Sequence, residues 1–200
     1  MDVASLTIYS IGHSNHVLDK FLTLLVTHKI QIVTDVRSYP ISKYSPQFDR
    51  NGLEKALKNV GIDYVFMGKE LGGRPSGDQY YDVKGHVLYS KVSNAEFFVS
   101  GLARLKDLAT KNRLAVLCSE EDPTNCHRRL LIGRVLEKED VSLLHIRGNG
   151  SIQKEEEISD ADPRGFEYQQ ASLFGGFEDL EWKSIQSVLP RKQPQIFSEF

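Results

Sequence analysis

The stretch LAVLCSEEDPTNCHRRLLIGRVL, Leu114–Leu136, decides the fold. It opens on an unbroken apolar run, LAVLC (Leu114–Cys118), and crosses a polar turn. From Cys126 to Leu136 it becomes a segment in which Leu130, Leu131, Val135 and Leu136 recur at helical spacing. A short continuous apolar run fits a strand buried on both faces, and the periodic segment after it fits a helix with one packed side. A strand feeding a helix is half of a βαβ unit, so the fold turns on whether the flanking sequence repeats it.

It does. Leu6–Ile11 is apolar and stops at Gly12, and Phe21, Leu24, Leu25 and His28 follow at helical spacing with Asn15 as the expected N-cap. Ile30–Val36 is a second strand, with Pro40 and Pro46 breaking the loop behind it. Leu53, Leu57 and Val60 mark a helix stopped by Gly61, and Ile62–Met67 alternates like a strand. Leu71–Lys84 is a Gly-, Pro- and Asp-rich loop, Phe97–Leu108 is helical, and Val141–Ile146 is the last clear strand. The expected fold is therefore α/β, a mostly parallel sheet flanked by helices in a Rossmann-like three-layer arrangement. After Arg147 the pattern dissolves into the acidic run KEEEISDAD and scattered aromatics. We divide the chain into an α/β domain, residues 1–147, and an irregular C-terminal extension, residues 148–200.

The chain has 200 residues, 40% hydrophobic and 26% charged, with a formal net charge of -2. A nucleic-acid role must then come from a local basic patch rather than a global field. The two cysteines are too few for a disulfide framework. The start, MDVASLTIYS, lacks the basic and apolar regions of a signal peptide, and no apolar run reaches the ~18 residues of a membrane helix. The expectation is a cytoplasmic protein with no membrane partner.

In an open parallel sheet, ligands bind beyond the carboxyl ends of the strands. The residues just past the strands are Gly12, His13 and Ser14; Asp35, Arg37 and Ser38; Lys69, Glu70, Leu71, Gly72, Gly73 and Arg74; then Cys118, Ser119, Glu120, Cys126, His127 and Arg128. His145 and Arg147 end the last strand. Titratable residues and glycines from separate segments thus fall on one edge.

The motifs YSIGHSN (Tyr9–Asn15), VTDVRSYPISKYSPQF (Val33–Phe48), YVFMGKELGG (Tyr64–Gly73), and Leu117-Cys118, Glu120 and Cys126-His127-Arg128 resemble the domain of unknown function 488 family over residues 7–147. The resemblance implies a compact α/β domain. Its motif residues include His13, Ser14, Asp35, Arg37, Glu70, Gly72, Gly73, Cys118, Glu120, Cys126, His127 and Arg128. It implies no activity.

The chemistry must come from the residues. Gly12, His13 and Ser14 form an anion cradle if their N–H groups open a helix, or a plain capped turn if not. Arg37 can fork onto a carboxylate or phosphate, or pair with Asp35 or Glu70. Arg128 and Arg129 in a first helical turn oppose the dipole unless one faces an anion, or unless Glu120, Glu121 and Asp122 neutralise them. His13, Asp35, Glu120 and His127 are the acid-base candidates.

Cys118 and Cys126 admit three readings. Cys118 as a nucleophile is similar to the cysteine of rhodaneses and cysteine phosphatases. Thr124, however, stands where those families close their loop with arginine, and three carboxylates raise a thiol's pKa. Cys118, Cys126 and His127, with His13, are zinc-type ligands, but without the close pair of a structural finger. The favoured reading is structural: Cys118 packs in the strand and Cys126 fixes the helix start, so that Glu120, His127 and Arg128 face the pocket.

The tail carries QASLF, with Gln170, Leu173 and Phe174 at the positions of a bacterial sliding-clamp docking peptide. Lys43, Arg50, Lys55 and Lys58, near Tyr39 and Tyr44, form either a nucleic-acid surface or a solvated helix face. The leading expectation is an enzyme binding an anionic, phosphate-bearing ligand, a nucleotide or nucleic acid, for hydrolysis or group transfer. His13 and Ser14 would hold the anion, with Arg37 and Arg128 clamping it. A non-catalytic DNA-repair module docking on the clamp, and a metal-dependent hydrolase using the Cys/His set, are the alternatives. No residue pattern names a cofactor.

Overall fold

In the computed structural model, the described residues are 6–14, 16–161 and 182–188. Six strands form one sheet: β1 (Thr7–Gly12), β2 (Ile32–Asp35), β3 (Asp63–Phe66), β4 (Leu114–Cys118), β5 (Ser142–Ile146) and β6 (Ile152–Lys154). Their order is β3-β2-β4-β1-β5-β6. All pairs are parallel except β5 with β6, which run antiparallel. The expected α/β fold with a mostly parallel sheet is therefore present.

Two apolar layers explain why the strands read as continuous apolar runs. Tyr9, Ile11, Val33, Ala115 and Leu117 pack with Phe21, Leu24 and Leu25 of α1 (Leu18–Thr27) and Leu53 and Leu57 of α2 (Arg50–Asn59). Ile8, Ile32, Leu114, Val116 and Cys118 point the other way, onto α4 (Glu96–Lys111) and the segment around Leu131, Ile132 and Leu136. Alternate residues of each central strand thus serve opposite cores, so both faces are mostly apolar, with Ser10, Thr34 and Asp35 as buried exceptions. A single turn, α3 (Tyr89–Val92), precedes α4.

Some expectations need correcting. Asn15 lies outside the described residues, and α1 begins instead behind Val17, whose side chain cannot cap. Cys126–Leu136 is not one regular helix. Cys126 is extended, Arg128–Gly133 is a wide π-type turn, and only α5 (Arg134–Glu137) is α-helical. Apolar spacing reports which side packs, not the pitch of the backbone, and turns of this kind often mark functional sites. Regular structure also continues past Arg147. β6 extends the sheet and the acidic run forms α6 (Glu155–Ala161), whose Glu155 is tied to Arg129 by an ion pair of 2.6 Å. Residues 182–188 dock on the body. Trp182 donates to the Leu130 carbonyl at 2.9 Å, and Ser184 and Val87 bond each other in both directions. Gln170, Leu173 and Phe174 lie outside the described residues. Among the described residues, no helix is long and apolar enough to cross a membrane.

Candidate functional site

The carboxyl ends of β1, β2 and β4 open on a cavity of about 490 Å³. That is room for a small ligand. Its wall contains His13, Arg37, Ser38, Gly73, Cys118, Glu120, Cys126 and His127. It also contains Arg74 and Ser119, which follow β3 and β4 in sequence, and residues the sequence did not single out: Asn125, Tyr89 and the strip Ser184–Val188. That strip has no motif; Trp182, one of several aromatics in the tail, is the sign nearest to it that the tail returns.

Gly12, Ser14, Asp35, Glu70, Gly72 and Arg128 are not in the wall. Gly12 is small because the next segment passes over it: a Cβ there would lie 1.7 Å from the Glu120 carbonyl oxygen. The His13 and Ser14 amides donate to the Cys118 and Ser119 carbonyls at 3.2 and 2.8 Å. The Ser14 hydroxyl accepts from the Glu121 amide. These donors extend the sheet pairing and form no anion cradle. Glu70 faces away and pairs with Arg104 at 3.3 Å. Gly72 lies where a Cβ would strike the Ser38 hydroxyl, so it shapes the wall from behind.

Asp35 is fully buried, and its carboxylate is saturated. It accepts from the Arg37 amide, from Nε and Nη2 of Arg37, and from the Tyr64 hydroxyl at 2.7 Å. It anchors the arginine and has no free lone pair aimed at a substrate, so the general-base role expected for it is withdrawn. Burial, and then the Asp35 charge, push the Tyr64 hydroxyl's pKa well above the phenol range. Burial opposes the charge on Arg37, but Asp35 more than offsets this and raises its pKa.

The remaining Arg37 nitrogen, Nη1, meets His13 Nε2 at 3.1 Å. Arginine can only donate, so His13 Nε2 accepts and the ring proton sits on Nδ1. That Nδ1 has no hydrogen-bond partner, and the ring stacks on Phe48 at 4.4 Å. Burial, then the Arg37 charge, lower the His13 pKa to about 4, so the ring is neutral at pH 7.

Arg128 does not clamp a ligand. It is 1% exposed, and its guanidinium donates to the carbonyls of Glu120 and Glu121 and to the Ser10 hydroxyl. Arg147 grips the Glu121 carboxylate at 2.9 Å. The loop after β4 is thus held from three sides, with exposed Glu120 at the cavity rim.

Beneath Glu120 the two cysteines and His127 converge. His127 Nδ1 lies 3.6 Å from Cys118 Sγ and 3.9 Å from Cys126 Sγ, and the three donor atoms fall within 4.8 Å of one another. Both thiols are buried and His127 is half-buried. A hydrogen bond with Cys126, then burial, hold the Cys118 thiol well above its usual pKa. Burial opposes ionisation of Cys126 as well. The Cys118 thiol, the Arg128 charge and His127 outweigh it and favour a thiolate there. These donor types suit a borderline-soft cation.

No curated protein and no solved structure matches the chain. A family model described as a domain of unknown function, DUF488, matches residues 17–135. That span runs from the start of α1 into α5, and so takes in Asp35, Arg37, the glycines at 72 and 73, both cysteines and His127. His13 lies just outside it. On this match the chain belongs to the DUF488 family.

Proposed function

We propose that the strand-edge cavity is the active site of an enzyme that binds an anionic, phosphate-bearing ligand, a nucleotide or nucleic acid, and catalyses hydrolysis or group transfer. One observation carries this reading: cations, hydroxyls, imidazoles and a free carboxylate from separate segments share one cavity. Arg37, held rigid by Asp35, and exposed Arg74 supply charge-assisted donors. Ser38 and Ser119 add hydroxyls, and His13 adds an N–H without a protein acceptor. Glu120 makes no ion pair among the described residues and is the carboxylate best placed to move a proton at the rim. Asp35 acts as a positioning residue for Arg37.

The test is a thermal-shift panel of inorganic phosphate, nucleoside mono-, di- and triphosphates, short single-stranded DNA and uncharged nucleosides. A ligand at a hundred times its Kd adds about 2.7 kcal/mol. For a chain of this size that raises the midpoint by roughly 5–11 °C. Phosphate-bearing members should raise it, uncharged nucleosides should not, and Arg74→Ala should shrink the rise. A flat response across every phosphate-bearing member removes the proposal.

A further inference from the structure

We infer that Cys118, Cys126 and His127 form a three-ligand site for a borderline-soft divalent cation of the zinc class, with the fourth coordination position open to the cavity. The geometry is the first argument. Zinc bonds sulfur at about 2.3 Å and imidazole nitrogen at about 2.0–2.1 Å, and tetrahedral angles then separate S from N by about 3.6 Å. The two observed S···Nδ1 distances are 3.6 and 3.9 Å. All three donor atoms lie within 4.8 Å of one another, so an ion fits among them with little movement.

The second argument is the isolation of the imidazole. His127 Nδ1 faces two sulfurs, and Nε2 has no partner. A histidine present only for packing would be expected to find an oxygen partner, since a buried unpaired ring nitrogen is costly. Among the described residues, Nδ1 instead meets two thiol sulfurs, which is the environment of a ligand set.

The third argument is preorganisation. Cys118 ends β4, fixed by the sheet. Cys126 follows the turn Pro123–Asn125, which Asp122 caps by accepting from the Thr124 amide at 2.9 Å. Gly73 leaves space against the His127 ring: a Cβ there would lie 2.9 Å from its Nδ1. The end of β4 and the capped turn that follows it thus hold the donors before any ion arrives, with Gly73, distant in sequence, leaving room for the ring.

Three protein ligands beside an open cavity are the pattern of a catalytic rather than a structural zinc site. All three residues line the same wall as His13, which is 4% exposed and has an unpartnered Nδ1. The inference holds for any substrate of the cavity, and its test reads metal alone, so it can fail or stand separately from the phosphate reading.

The experiment uses the full chain purified under reducing conditions without chelators. Elemental analysis should find one zinc per chain. The metal-stripped protein, titrated with Co2+, should develop an intense thiolate-to-cobalt charge-transfer band and the d–d bands of a tetrahedral ion. Losing a partner outside the coordination shell already costs ~10–100-fold in metal affinity. Cys118→Ser, Cys126→Ser and His127→Gln should each therefore cost at least ~100-fold, and the serine variants should also weaken the charge-transfer band. Lys111→Ala, on the exposed face of α4, should bind Co2+ like the parent. Should the serine variants fail to fold, His127→Gln decides, because its ring sits at the half-buried edge. The inference is overturned by a folded, reduced protein that takes up less than a tenth of an equivalent, by a Co2+ spectrum without thiolate character, or by unchanged affinity in His127→Gln.

Discussion

Arg128 reaches back across the turn after β4 and donates from Nη2 to the Glu121 carbonyl at 2.7 Å. Its other nitrogens hold the Glu120 carbonyl and the Ser10 hydroxyl, all beneath the surface. The residue that looks most like an anion clamp in sequence is therefore a strut for the loop that carries Glu120. Arg128→Lys keeps a charge but cannot span these acceptors with one fork. Its expected cost is about 2–4 kcal/mol, because buried carbonyls lose their donors. Urea denaturation followed by circular dichroism checks it. A loss under ~0.5 kcal/mol would mean that the loop does not depend on this strut.

The Asp35–Arg37 pair is 2.6 Å long and nearly sealed from solvent. Removing one partner strands the other, and breaking a buried pair costs about 3–5 kcal/mol. Asp35→Ala should reach that range. Tyr64→Phe deletes only one hydroxyl from the same carboxylate and should cost about 1 kcal/mol. Equal and small effects from both variants, by the same denaturation assay, would show that the carboxylate is not the anchor.

Much of this was legible in the residues. LAVLC and LTIYSI are read correctly because strands buried on both faces are mostly apolar. The edge that gathers the ionisable groups also followed from strand direction alone. Which of those groups face the cavity did not. Ser14 and Arg128 differ from Ser38 and Arg37 only in what lies beside them after folding, and Asp35 looks like a base until its five hydrogen bonds are counted. The sequence distance between Cys118 and Cys126 gave no close pair, because the site closes through a turn rather than a short knuckle. β6 was hidden because it is only three residues long, and α6 because its run is acidic, held through Glu155 by Arg129 and His145 and by the buried apolar side chain of Ile158.

His13 gives the pH dependence a definite sign. Its folded pKa of about 4 lies below the ordinary 6.5, so between those values the unfolded chain binds more protons and stability rises with pH. Acidifying from pH 7 to 5 should remove about 2 kcal/mol through this group, before the carboxylates begin to titrate. His16 and His145 are also lowered, mainly by burial, and steepen the total in the same direction. The readout is therefore a difference: His13→Phe, which keeps the stack on Phe48, should flatten the midpoint-versus-pH curve relative to the parent. Parallel curves would mean that His13 is not held neutral.

Gly73 separates the shape of the metal site from its ligands. The residue touches no donor through a side chain of its own, yet a Cβ there would approach the His127 ring to 2.9 Å at both Cγ and Nδ1. Gly73→Ala must therefore rotate or push the imidazole by a few tenths of an ångström. The wall is half-buried at this point, so the fold should lose less than ~1 kcal/mol. The ligand geometry suffers more than the fold, and a misplaced donor behaves like a lost supporting contact, worth ~10–100-fold in metal affinity. Co2+ titration of Gly73→Ala against the parent, with thermal midpoints measured alongside, reads the two effects apart. An affinity equal to the parent's, with the midpoint unchanged, would mean that His127 does not need this space to meet the two sulfurs.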